Sequence, residues 1–290
     1  MQIFWININK LKYSDFLVKL TRDLKKDHKK IKQKIIFTPN PEILLEAKSD
    51  EGFKKNLKKA DYLVPDGIWL YIAFQILWFN LNTFKVPLIK GVLEGFLNIF
   101  FNILLLPYCF FNIFFRKKYL YKKYWEKICW SDLTNDLIGF ANDNNIKIAI
   151  VDLYSPNDEK KIKSQKNFES KLKARFNNLR FDYFIYNPNK KENIIKEIKN
   201  SDSKILFSTL WMKKQEKSVI EIMKFCKNIQ LWLWIWSSFD YLTWFQKRAP
   251  KIFRRFWLEW LYRLFTWPQK IKRIKRLYSA IFIFLWKIIK

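Results

Sequence analysis

The sequence predicts an α/β fold on a mostly parallel sheet, and three observations carry that prediction. Short apolar runs of strand length alternate with longer stretches of helical period. Half of the 290 residues are hydrophobic, so the chain folds despite a formal charge of +29. Its length suits one large or two small domains, since single cores rarely grow past about 250–300 residues.

The strand candidates are Lys34–Thr38, Tyr62–Val64, Ile146–Leu153, Tyr183–Tyr186, Lys204–Ser208 and Ile229–Ile235. Between them Pro41–Ala60, Glu159–Asn177, Lys191–Asn200 and Lys214–Lys227 read as amphipathic helices. The first opens with Asn40 as N-cap and Pro41 at the first helical position.

Two segments break the rhythm. Phe96–Phe115 carries no charge and ends in Arg116, Lys117 and Lys118. It is long enough to span a bilayer, while Pro107 with Asn98, Asn102 and Asn112 suits a re-entrant or interfacial helical hairpin. A helical pair packed on the protein itself is the plainer alternative. The stretch from Arg248 interleaves Arg254, Arg255, Arg263, Lys270, Lys272, Arg273, Lys275 and Arg276 with aromatic and aliphatic residues, a composition that suits anionic headgroups. No RNP, KH, zinc-finger or helix-turn-helix pattern accompanies it, so nucleic acid is not an expected partner. The expected organisation is a Rossmann-like domain over 1–245, with a lipid-facing insertion at 83–121, and a basic helical appendage over 246–290.

Composition narrows the chemistry. Three cysteines without CxxC spacing and a single histidine, His28, give no support to a disulfide framework, a zinc site or Ser-His or Cys-His catalysis. Walker A and GxGxxG loops are absent, as is an Asp-X-Asp pair of the kind that clamps a metal on a nucleotide sugar. No cofactor or metal is therefore expected. The start, MQIFWININKLKYSDF, has no basic stretch followed by an apolar one, so the chain is expected to begin in the cytoplasm.

The densest signal is Thr38-Pro39-Asn40-Pro41-Glu42 followed by Ala60–Gly67. Each begins at or just after a predicted strand, so Thr38, Asn40 and Asp66 fall at carboxyl ends of neighbouring strands, where open α/β sheets bind ligands. A Pro-Asp-Gly turn suits projecting one carboxylate into a cleft, although an ordinary turn aspartate reads the same way locally.

Six motifs in order, TPNPEILLEA, ADYLVPDGI, KKQE, SSFDYL, KRAP and LEWLYRL, resemble the WecG/TagA/CpsF family of glycosyltransferases over roughly 30–80 and 125–277. The resemblance implies an inverting, metal-independent transfer of N-acetylmannosamine, a related N-acetylhexosamine or its uronic acid. The donor is a UDP-sugar and the acceptor N-acetylglucosamine on undecaprenyl diphosphate, at the cytoplasmic face of an anionic membrane. It implies Asp66 as catalytic base with Thr38 beside it, and Asn40 in the donor site. Gln215 and Glu216 fall in the motif opening a helix that meets the departing phosphates, and Asp240 lies near the nucleoside. Lys127 replaces an arginine expected near the lipid diphosphate, in the stretch that holds Asp132; the charge is kept and the bidentate fork is lost. Arg248 and Arg263 fall on family arginines that reach over the cleft, with headgroup contact or a plain helix salt bridge as alternatives.

The departures concentrate in tryptophan. Trp69, Trp130, Trp211, Trp234, Trp236, Trp244 and Trp257 stand where the family has glycine, whereas Trp260 matches a family tryptophan. Five glycines and 14 tryptophans together approach the about 20 glycines expected at 7% of this length. Either the cleft of an inactive relative is plugged, or UGA codons that the cell reads as glycine have been translated as tryptophan.

Overall fold

The computed structural model describes residues 2–26, 32–83, 92–124, 126, 128–153, 168–187, 189, 191–210, 214–235, 248–266 and 270–289. The chain opens with an antiparallel hairpin, β1 (Gln2–Ile3) and β2 (Ile6–Asn7), then α1 (Tyr13–Leu24). Next come β3 (Lys34–Phe37), α2 (Pro41–Ser49), α3 (Glu51–Leu57), β4 (Tyr62–Leu63) and α4 (Ile68–Thr83). The insertion contributes α5 (Val92–Phe115) and α6 (Lys117–Lys123), and α7 (Trp130–Asp143) leads into β5 (Ile148–Leu153). A helix over 168–175, α8, precedes β6 (Phe181–Tyr186). After it come α9 (Lys191–Asn200), β7 (Ile205–Ser208), α10 (Lys214–Phe225) and β8 (Leu231–Trp234). The C-terminal part holds α11 (Lys251–Arg255), α12 (Glu259–Thr266) and α13 (Lys270–Tyr278), which continues through a π-helical turn, Ser279–Ile283, into α14 (Phe284–Ile289).

Strands β3 to β8 form one six-stranded parallel sheet in the order β4-β3-β8-β7-β5-β6. All six predicted strands are present. The alternation of a strand sends Ile148 and Ile150 of β5 to one face, against α1, α7 and α8, while Ala149 and Val151 join the core under α2, α3, α4, α9 and α10. Both faces are thus covered, as parallel sheets require. The chain leaves β5 outward for β6 but leaves β7 inward for β8, and this reversal marks a ligand crevice at the carboxyl ends.

Two expectations need correction. Pro41–Ala60 is two helices, because Asp50 ends α2 and caps α3 by accepting the Phe53 N–H at 2.8 Å. The insertion is not a helical hairpin within Phe96–Phe115: α5 is one continuous helix with Pro107 inside it. Cys109, Asn112 and Ile113 pack it against the protein, and Asn112 Nδ2 donates to Gln75 Oε1 of α4 at 3.0 Å. Among the described residues, no helix is long and apolar enough to cross a membrane. The expected helix Glu159–Asn177 is described only over 168–175; its earlier part lies outside the described residues.

The appendage folds back on the domain. α14 packs on α2, α4 and α5, Phe284 meets Phe4 of the β1–β2 turn edge-on at 5.9 Å, and Arg276 reaches Glu42 in the first turn of α2 at 3.9 Å.

Candidate active site

Thr38 directly follows β3 and is buried; Asn40 caps α2, its Oδ1 accepting the Ile43 N–H at 2.9 Å. That bond commits the amide oxygen and leaves the NH2 as the end that can donate to a ligand. Asp66 follows β4 and is exposed, and its backbone N–H donates to the Pro39 carbonyl at 2.9 Å. The two loops are therefore tied together at the carboxyl edge of the sheet. Gly67 has φ +95°, the left-handed region that a side chain resists, which lets the backbone turn directly from Asp66 into α4.

A second group forms where α7 begins. Arg248 Nη1 lies 2.5 Å from Asp132 Oδ1, and Nη2 donates to Cys129 Sγ at 2.9 Å. Burial opposes the charge on Asp132, but the hydrogen bond and charge of Arg248 outweigh it and hold the carboxyl below its ordinary range. Burial and the neighbouring Asp132 carboxylate push the Cys129 thiol up. A carboxyl with a depressed folded pKa stabilises the protein above its ordinary range and loses that contribution as pH falls. The Tm difference between wild type and Arg248→Met is therefore expected to be largest near neutral pH and to shrink in acid. A difference that does not vary with pH would mean that Arg248 acts through packing alone.

Arg263 pairs with Glu259 one turn back on α12, at 2.6 Å. Its helix nonetheless approaches the Asp66 loop, because Trp260 lies 5.7 Å, ring to ring, from Trp69 in the first turn of α4. Gln215 and Glu216 sit in the first turn of α10, which follows β7 at the carboxyl edge, and their side chains lie outside the described residues. Lys127 and Asp240 also lie outside them.

Sequence reasoning missed Asp152. At the carboxyl end of β5 it accepts from Thr209 Oγ1 at 2.5 Å and Tyr183 Oη at 2.7 Å, beside the β5–β7 reversal. The signal was an acid closing an otherwise apolar strand, Ile148–Leu153. Cys129 as a partner of Arg248 had no sequence signal. Among the described residues no group of three or more His, Cys, Asp or Glu could hold a metal ion.

Between the Thr38–Asp66 loops and β7 stands β8, whose last residue, Trp234, is buried and donates its indole N–H to the Leu210 carbonyl at 3.0 Å. The indole is thus packed at the carboxyl edge of the sheet, on the strand between β3 and β7.

The Glycosyl transferase WecG/TagA/CpsF family model matches residues 1–94 and 113–290. The chain belongs to this family. The match runs through every described residue of both groups and skips most of α5, so the family accounts for the sheet, the Asp66 loop and the appendage. A sugar donor and a sugar acceptor follow from membership in a glycosyltransferase family.

Proposed function

We propose that the protein is an inverting hexosyltransferase that moves N-acetylmannosamine, a related N-acetylhexosamine or its uronic acid from UDP to N-acetylglucosamine on undecaprenyl diphosphate. It serves surface polysaccharide or teichoic acid synthesis at the cytoplasmic face of the membrane. The observation that carries this reading is Asp66, exposed on a glycine turn and tied through Pro39 to the loop holding Thr38 and Asn40. The acceptor hydroxyl loses its proton to Asp66 as its oxygen attacks the anomeric carbon from the face opposite UDP. The anomeric bond to the UDP oxygen breaks, and backbone N–H groups at the start of α10, with Gln215, meet the charge growing on the departing phosphate. Arg248, held by Asp132, supplies positive charge near the acceptor diphosphate together with Lys127.

A non-catalytic relative with a blocked nucleotide site is the second reading, favoured by the buried indole of Trp234. Calorimetry with UDP separates the two: binding by protein purified from its own cells supports the transferase, and no binding supports the blocked relative.

A further inference from the structure

We propose that the outward face of α5 is a docking surface for an anionic lipid bilayer, an attachment separate from the basic C-terminal helices. This rests on the reading of the protein as a transferase for a lipid-linked sugar. Residues 95–112, most of α5, fall between the two stretches matched by the family.

Leu104, Tyr108, Phe111 and Phe115 are all exposed, Phe111 at 51% and Phe115 at 73%. Their spacing of four, three and four residues places them on one side of the helix. The opposite side, through Cys109, Asn112 and Ile113, is already packed. A helix that is apolar on both sides and covered on only one presents an unmet hydrophobic face.

The surroundings select the occupant. The stripe ends at exposed Arg116, Lys118 and Lys122, and Arg116 lies over the Tyr119 ring at 4.9 Å. Apolar residues flanked by tyrosine and cations match the boundary between acyl chains and anionic headgroups. Beside the stripe is a small notch lined by Gln75, Trp78, Tyr108, Asn112, Tyr119 and Lys123. There Asn112, 1% exposed, has no partner for Oδ1 among the described residues, while Lys123 Nζ donates to Tyr119 Oη at 2.8 Å. Lys123, lining this notch, puts a cation beside the stripe where a headgroup phosphate would lie. A second copy of the chain fits worse, since each copy carries a formal charge of +29.

The test compares wild type with Phe111→Glu/Phe115→Glu on vesicles of phosphatidylcholine with and without phosphatidylglycerol, at low and high salt. The double variant is expected to partition about tenfold or more weakly, because two exposed apolar anchors become charged. High salt screens the basic tail, so the gap should widen there. Tyr108→Glu, on the same stripe, is expected to lose part of the binding and gives a second reading if the double variant folds poorly. Equal partitioning of wild type and variants at both salts would overturn the proposal. So would a wild type that dimerises without vesicles while the variants are monomers in light scattering. Turnover with a soluble diphospholipid acceptor analogue should be unchanged by these substitutions. Its absence in wild type would instead count against the transferase reading and leave the vesicle result standing.

Discussion

The gene is expected to carry TGA at the codons for Trp69, Trp130, Trp211, Trp234, Trp236, Trp244 and Trp257, and TGG at Trp260. Protein from the native cell should then be lighter by one indole-bearing side chain at each TGA. The backbone adds a criterion that composition lacked. Trp257 has φ +60°, and Trp5 has φ +66° in the turn between β1 and β2, with Phe4 at +48° before it. Two successive positive φ values describe the tight hairpin turn whose second position is normally glycine, so a TGA codon is also expected at Trp5. A bulky residue in that region costs about 1–2 kcal/mol. Trp5 is 70% exposed, so it has little packing to set against the strain, and Trp5→Gly in recombinant protein should raise stability by about 1 kcal/mol. At Trp257 the balance differs. Its buried ring meets Tyr71 at 4.4 Å, and removing so large a buried side chain costs about 3–5 kcal/mol, so stability there does not report on the codon. Recombinant protein with tryptophan at all these positions should bind UDP poorly, and restoring glycine at Trp234 and its companions should recover binding. TGG at the seven family-glycine codons would end this account and leave the blocked-relative reading.

Asp66→Asn should lower turnover by about 10²–10⁴-fold, the usual worth of a positioned general base. Fold and UDP affinity should survive, because the Asp66 backbone N–H, which holds the loop to Pro39, is kept by asparagine. The measurement is turnover of UDP-N-acetylmannosamine with a soluble diphospholipid acceptor analogue, on protein carrying the residues used by the native cell. Turnover within a few-fold of wild type would remove Asp66 from the role of base.

The sheet was legible because each strand is a short run of β-forming apolar residues bounded by polar ones, and Lys34–Thr38 or Ile229–Ile235 overran the observed strands by only a residue or two at either end. What sequence could not supply were interruptions and partners. Asp50 keeps a helical period while acting as a cap, so α2 and α3 looked like one helix. The β1–β2 hairpin escaped notice because Phe4-Trp5 has none of the turn chemistry that marks such hairpins. Pro107 suggested a break that tertiary packing on α4 overrides. In the site, Thr38, Asn40 and Asp66 were legible as strand-end residues beside turn formers. The meeting of Asp132 with Arg248, from motifs far apart in the chain, depends on how the appendage folds back, which no local pattern encodes.

That fold-back also orders events in time. Glu42, in the first turn of the helix that Asn40 caps, is touched by Arg276, and the first hairpin is covered by Phe284. Segments made early in synthesis are thus covered by segments made much later, and closing so long a loop carries an entropic cost. A nascent chain on the ribosome has its Asp66 loop but no completed surface around it. The same helices that would bring the protein to lipid therefore also complete the flank of the helix that Asn40 caps.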